Sequence, residues 1–268
     1  MSVNRERPRG RAVYEIGHPV VLAHRGGLAE VPENSREAFD RMVDLGVGVL
    51  ETDVRHTLDG YPVLAHDETL SRLYGDPRNV SSVPWDELSE MRDTDGAAPM
   101  LLRDLLESYP RLVVNIDAKT DEVVAPLLRD VREAGATRRV CLTAFSARRV
   151  ATMARVTQEK AMIGVGMADV ARLLAWTHLP GRAAVLASVG RYAGSPRAIQ
   201  VPLTFRGIPV VTAKFVDAAH SAGHVVHVWT VNDPAEMHRL LDLGIDGIVT
   251  DVPTLATRVW AERGLAPA

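Results

Sequence analysis

"VLAHRGGLAEVPENSREAFDRMVDLGVGVLETDV", residues 21–54, carries an apolar run into His24 and Arg25, continues through a segment of helical period, and carries a second apolar run into Glu51 and Asp53. A strand packed on both faces reads as a near-continuous apolar run and shows ionisable side chains only where it emerges from the sheet. The stretch is therefore a strand, a helix and a second parallel strand, and both strands end in chemistry. Side chains alternate along a strand, so Glu51 and Asp53 share one face and Thr52 takes the other. In the helix, Asn34 followed by Glu37 reads as a capping pair, with Pro32 and Ser35 belonging to the same start signal. Gly46 reads as its left-handed stop.

The same unit recurs along the chain. Further strands are expected at 112–118, 139–144, 161–166, 183–189 or 198–202, 224–230 and 247–251, after 20–24 and 47–54. Helices such as "DEVVAPLLRDVREAG", "SARRVATMARVT", "TAKFVDAAHSAG", "PAEMHRLLDLG" and "PTLATRVWAERG" lie between them, and Gly135, Gly223 and Gly244 follow three of these as stops. Up to eight units of about 30 residues match a closed (β/α)8 barrel, which typically takes about 250 residues. An open doubly wound sheet would want a GxGxxG loop after an early strand, and "HRGGLAEVPENS" lacks that spacing. Residues 67–99 are polar and turn-rich with one short helical pattern at 84–92, so they read as an insertion after the second strand. The expected organisation is a flexible tail over 1–18, one domain over 19–262 and a short tail over 263–268.

Composition narrows the partners. The chain has 268 residues, 46% hydrophobic and 24% charged, with a net charge of −3. Nucleic acid and anionic membranes call for a strong basic excess, which is absent, so a small neutral or anionic ligand is expected. Cys141 is the single cysteine and lies in an apolar stretch, so no intramolecular disulfide forms. The arginine-bearing start is followed only by "VVLA" before His24, and no run approaches the roughly 18 apolar residues of a bilayer span. A cytoplasmic protein with no stable membrane association is expected, and the pattern leaves the oligomeric state open.

The strand ends set the chemistry. Glu51, Asp53 and Asp117 would converge on one barrel mouth, where three carboxylates repel one another strongly unless a cation lies between them. Oxygen ligands select a hard ion, one Mg²⁺ or Ca²⁺, and the lack of cysteine ligands argues against zinc. The alternative is a structural network in which these acids pair with Arg25 and Lys119. In "DGYPVLAHDETL" a turn at Asp59 and Gly60 doubles the chain back and delivers His66 to the same mouth. His24 and His66 then supply a general acid and a general base. Arg25 and Lys119 would neutralise an anionic substrate, which describes phosphoryl-ester cleavage better than acyl transfer. Trp229, ending "HVVHVW", is expected to wall the pocket, with a core role as the alternative. His18, His56, His178, His220, His224, His227 and His238 read as structural, as do Met42, Met91, Met153, Met162 and Met167. Thr250 or Asp251 reads as a cap of the last helix.

Taken jointly, "AHRGG", "PENS", "LETDVRHTLDGYPVLAHDETLSR", "NIDAK", "HVWTVND" and "GIDGIVTDVP" resemble the glycerophosphodiester phosphodiesterases, from about residue 19 to about 260 and in the family's order. The resemblance implies a TIM barrel with a small insertion after the second strand, and metal-dependent hydrolysis of glycerophosphodiesters to sn-glycerol 3-phosphate and an alcohol. It places the paired catalytic histidines on His24 and His66, the metal carboxylates on Glu51, Asp53 and Asp117, the phosphate-contacting bases on Arg25 and Lys119, and the seventh-strand tryptophan on Trp229. Asp117 departs from the family's usual glutamate. It is a methylene shorter, which leaves the ion's identity open. Three other readings stand beside this one. A sphingomyelinase D or lysophospholipase D-like enzyme acting on lipids would call for an exposed apolar rim, for which the insertion offers only Leu70, Leu73, Tyr74 and Trp85. The others are a non-catalytic barrel that binds a phosphorylated ligand, and a metal-dependent carbon-carbon lyase.

Overall fold

Runs of β-branched residues form the sheet because such side chains pack well on a pleated surface. The computed structural model describes residues 19–158, 160–166, 170–171, 173–174 and 197–267. Its strands are β1 (Val20–His24), β2 (Val49–His56), β3 (Pro62–Leu64), β4 (Val113–Ala118), β5 (Val140–Thr143), β6 (Met162–Gly164), β7 (Arg197–Pro202), β8 (Thr204–Phe205), β9 (Ile208–Pro209), β10 (Val225–Trp229) and β11 (Gly247–Thr250). Eight of them pair in parallel in the order β1, β2, β4, β5, β6, β7, β10, β11, and β11 returns to β1, so the barrel is closed. The TIM barrel expected from the sequence is the fold. The sixth strand of the expected series, given as 183–189 or 198–202, is β7 at the second of these places; 183–189 lies outside the described residues.

The helices among the described residues include α1 (Arg36–Asp44), α2 (Ser71–Tyr74), α3 (Trp85–Leu88), α4 (Leu102–Ser108), α5 (Val124–Glu133), α6 (Ala147–Val156), α7 (Ala213–Ser221), α8 (Pro234–Asp242) and α9 (Pro253–Glu262). Alternation along each strand divides the core in two. Val21, Leu50, Ile116, Leu142, Ile199, Val226 and Ile248 face outward and merge with Phe39, Met42, Leu127, Met153, Phe215, Leu240 and Trp260 of the helices into one large core. Each such buried side chain contributes about 1.5–3 kcal/mol relative to exposure. Inside the barrel, Val20, Leu22, Val49 and Val249 form one small cluster, and Cys141, Met162 and Ala198 another. Gly247 faces this interior, where a Cβ would stand 2.7 Å from Leu22 Cδ1 and 2.9 Å from His227 Cδ2. Farther along β4 and β7, Gln200 Nε2 donates to Asn115 Oδ1 at 2.8 Å. Apolar packing therefore closes one end of the barrel axis and leaves a polar well at the C-terminal end.

Two local expectations change. Asn34 does not cap α1: it sits at φ 55° and its Oδ1 accepts from Thr52 Oγ1 at 2.7 Å on the outer face of β2. Ser35 is the cap, its Oγ accepting from the Ala38 amide at 3.1 Å while donating to the Pro32 carbonyl at 2.7 Å. A serine one position later reaches the free amide with extended backbone, which leaves Asn34 to absorb the left-handed turn. Neither Thr250 nor Asp251 caps α9: Val252 occupies the cap position without a side-chain cap bond, Thr250 Oγ1 accepts only from the Val252 amide at 3.2 Å, and Asp251 turns the other way. The glycine stops hold, with φ of 70°, 61° and 79° at Gly46, Gly135 and Gly223.

The insertion follows the antiparallel return of β3 along β2, with Val54 opposite Leu64 and His56 opposite Pro62. It contains α2 and α3, where the sequence pattern showed one helix, and it has its own core of Val63, Leu70, Val80, Val83 and Leu88, against which Tyr74 and Trp85 pack. At the other end of the barrel, the residues expected as a C-terminal tail fold back, and the Pro267 carbonyl accepts from the Val21 amide at 3.0 Å.

Candidate active site

Register brings the predicted residues to one level. His24 pairs with Glu51 across β1 and β2, and Asp53 pairs with Asp117 across β2 and β4. All four belong to inward-facing positions near the C-terminal ends of their strands, and β3 leads His66 back over them. A cavity of about 270 Å³ opens there. It is lined by His24, Arg25, Glu51, Asp53, His66, Asp117, Lys119 and Trp229, so the structure gathers all eight residues singled out from the sequence. The remaining wall, from β5, β6 and β7, includes Thr143, Ala144, Phe145, Val165 and Gln200. One half of the cavity is thus charged and the other largely apolar.

The charges form a tight cluster. Lys119 Nζ donates to Asp117 Oδ2 at 2.6 Å and lies 2.6 Å from Asp53 Oδ1; Arg25 Nε stands 3.3 Å from Asp53 Oδ2. Burial pushes Glu51 well above the usual carboxylate range, and Asp53 and Asp117 beside it push the same way. Burial also raises Asp117, against the pull of Lys119. Lys119 is itself desolvated, yet Asp53 and Asp117 hold it protonated above its ordinary value. Glu51 Oε2, Asp53 Oδ2 and Asp117 Oδ1 are buried and accept no hydrogen bond, with Asp53 Oδ2 held by the charge of Arg25 alone. Orphaned carboxylate oxygens that share one cavity are the donor set a hard divalent cation takes.

Both histidines are gripped at the same ring atom. His24 Nδ1 lies 2.6 Å from Asp251 Oδ1, and His66 Nδ1 lies 2.7 Å from Asp67 Oδ1. Burial works to raise both acids, but hydrogen bonds from His24 and Asn232 to Asp251, and from His66 and Arg72 to Asp67, hold both below the usual carboxylate range. Neither acid was singled out for this place from the sequence, although the strand-end signal that marked Asp53 is present at Asp251 too. Glu33 was also missed: its carboxylate accepts from Arg25 Nη1 at 3.2 Å and from Arg72 at 2.7 and 2.9 Å.

The histidines read as structural lie elsewhere. His56 bonds Thr120, His220 Asp246 and His238 Glu262, while His224 and His227 are buried; His18 and His178 lie outside the described residues. Met42, Met153 and Met162 are buried and Met91 packs on the insertion core; Met167 lies outside the described residues. Cys141 is buried as expected. Among the described residues, no helix is long and apolar enough to cross a membrane.

Comparison with known proteins gives a consistent result. The chain is 34% identical over 250 residues to a Mycobacterium tuberculosis protein named probable glycerophosphodiester phosphodiesterase 2, an alignment covering 92% of this chain and 93% of that one. It is 25% identical to a lysophospholipase D of Homo sapiens, over 87% of this chain and 83% of the relative. A solved Oleispira antarctica phosphodiesterase in complex with its product sn-glycerol 3-phosphate superposes with a TM-score of 0.73 at 20% identity, covering 91% of this chain and 97% of that one. The profile of the glycerophosphoryl diester phosphodiesterase family matches residues 24–255. The chain therefore belongs to the glycerophosphoryl diester phosphodiesterase family and is a phosphoric diester hydrolase.

Proposed function

We propose that the protein hydrolyses small, water-soluble glycerophosphodiesters to sn-glycerol 3-phosphate and an alcohol, with His24 and His66 as the proton-transferring pair. The observation that carries this reading is the convergence of two imidazoles, three carboxylates, one guanidinium and one ammonium in a single cavity. Arg25 and Lys119 bind the phosphate oxygens, and Lys119 stabilises the charge that develops on them in the transition state. One histidine takes a proton from water or from the substrate's own glycerol hydroxyl, while the other delivers a proton to the departing alkoxide oxygen. Trp229 and the apolar wall beside Phe145 and Val165 take the nonpolar part of the ligand. Glu51, Asp53 and Asp117 would hold a divalent cation, and their spare buried oxygens fit that role. Such an ion supplies Lewis-acid neutralisation of a phosphate diester.

The lipid-directed alternative gains no support from the insertion. Leu70 is buried there, and Tyr74 and Trp85 pack against its internal core instead of forming an apolar rim. The test is release of glycerol 3-phosphate from glycerophosphocholine and related diesters, in chelator and with Mg²⁺ or Ca²⁺ restored, by wild type and His66→Ala. Loss in the chelated sample and a fall of about 10²–10⁴ in the variant are expected. Release that persists in both removes the mechanism. A cyclic phosphate detected during turnover identifies attack by the substrate's hydroxyl.

A further inference from the structure

The two imidazoles sit on different parts of the fold, one on a barrel strand and one beyond a hairpin that turns back over the mouth, yet each presents Nδ1 to a carboxylate. An ionised carboxylate only accepts, so at both sites Nδ1 carries a proton and Nε2 is left for the reaction, unprotonated in the histidine that takes a proton and protonated in the one that delivers it. His24 Nε2 is on the cavity side, 3.7 Å from Glu51 Oε2. Both clasping acids are fixed in turn. Asp251 Oδ2 accepts from Asn232 Nδ2 at 2.7 Å, and Asn232 Oδ1 accepts from the Asp251 amide at 2.9 Å and from Thr250 Oγ1 at 3.0 Å. Asn232 and Asp251 thus form a closed pair between the loops after β10 and β11. Asp67 Oδ2 accepts from Arg72 Nε at 2.5 Å, and the two other guanidinium nitrogens of Arg72 grip Glu33, which also pairs with Arg25. A chain of charges therefore runs from His66 through the insertion to the phosphate-facing arginine.

We infer that Asp251 and Asp67 are positioning residues that set the Nδ1–H tautomer and ring orientation of His24 and His66, with Asn232 and Arg72 as their respective anchors. The inference rests on the reading of the two histidines given above. Without the clasp an imidazole divides its proton between the two nitrogens and rotates about χ2, so only a fraction of molecules present Nε2 to the cavity in the protonation state its role requires. Substrate contacts made by Arg25, Lys119 and Trp229 are untouched. The consequence is a loss in turnover with little change in substrate binding.

The experiment uses the full chain with glycerophosphocholine as substrate and compares Asp251→Asn, Asp67→Asn and His24→Ala. Asparagine keeps the shape but can also donate to Nδ1, which permits the wrong tautomer. For Asp251→Asn, kcat is expected to fall by about 10²–10⁴ with KM within about threefold of wild type. Nitrogen-15 histidine spectra give a second readout: Asp251→Asn changes the tautomer signals of His24 alone, and Asp67→Asn those of His66 alone. Wild-type kcat in both asparagine variants, unchanged tautomer signals, or a rise in KM that accounts for the whole loss overturns the inference. If His24→Ala also keeps wild-type kcat, the functional reading itself fails; if only the asparagine variants keep it, the reading stands and this inference falls. Should Asp251→Asn fail to fold, Asp67→Asn, on the partly exposed insertion, decides the question by the same two readouts.

Discussion

Replacing Lys119 with methionine separates the electrostatics of the cavity from its shape. The ammonium lies 2.6 Å from one oxygen each of Asp53 and Asp117, and both carboxylates are almost wholly buried. Removing one partner of a buried ionic cluster leaves an uncompensated charge and costs about 3–5 kcal/mol. Protonation limits that loss, because burial already raises Asp117 and the variant can take up a proton there. The lower end, about 3 kcal/mol, is therefore expected in chelator at neutral pH. If the same carboxylates hold a divalent cation, the ion stabilises the folded state by about 2.7 kcal/mol at a hundred times its dissociation constant. That restores most of the deficit in Lys119→Met. Turnover of glycerophosphocholine is expected to drop by about 10²–10³ even at saturating ion, because an ammonium aimed at the developing phosphate charge is gone. Urea denaturation with chelator, Mg²⁺ or Ca²⁺, run beside the turnover assay, measures each quantity. A variant as stable as wild type in chelator, with neither protein responding to either ion, would refute the electrostatic account of the cavity.

Two further outcomes bear on the scaffold. Burial holds His224 and His227 neutral, each with its pKa lowered to about 4, and Arg197 adds to the effect at His224. The unfolded chain binds those protons near 6.5, so this contribution is complete above that pH and is lost as pH falls toward 4, by about 2 kcal/mol per histidine at pH 5. Urea titrations of wild type, His224→Gln and His227→Gln at pH 8 and pH 5 check it, and coincident pH dependences would contradict it. Gly26→Ala is expected to destabilise by more than about 2 kcal/mol, since φ is 89° and the new Cβ would meet Ala38 Cβ at 2.5 Å; thermal unfolding at the wild-type midpoint argues otherwise.

Period and strand-end chemistry made most of the fold and the charged half of the cavity legible in the sequence, while the wall of Thr143, Ala144, Phe145, Val165 and Gln200 carried no such signal. Buried parallel strands have no reason to carry His24, Glu51, Asp53 or Asp117 except at a mouth, so each departure from the apolar run marked its own position. The second layer was marked less fully: Asp251 also stands at a strand end, but the pattern does not aim it at a histidine. Asp251 approaches His24 from a position 227 residues away in the chain, and nothing local distinguishes a carboxylate that clasps an imidazole from one that caps a helix. Asp67 is adjacent to His66, but whether neighbouring side chains meet depends on a loop conformation that Arg72 and Glu33 fix from outside. The exchange of roles between Asn34 and Ser35 has a similar origin. Both residues are good caps, and the choice falls to the one whose neighbour can adopt positive φ and find a buried partner, here Thr52. Helix α4 was absent from the expected series because its seven residues are too few to display a helical period.

The geometry also explains why this barrel needs its insertion. Parallel strands lift side chains to the mouth from one side only, so β1, β2 and β4 build a floor of acids and bases beneath the cavity. Displacement at phosphorus places the attacking and leaving oxygens on roughly opposite sides, and a proton must be handled at each. A group that faces down requires a segment running the other way. β2 provides it by continuing past the mouth to His56 and reversing through Gly60 into β3, whose antiparallel pairing returns the chain toward Asp53 and sets His66 above the floor. The Ala65 amide donates to the Asp53 carbonyl at 3.0 Å, and Arg55 Nε donates to the His66 carbonyl at 3.0 Å, so the returning strand is tied to β2 itself. The hairpin fixes the height of His66, and the insertion that follows supplies Asp67 and Arg72 to fix its orientation.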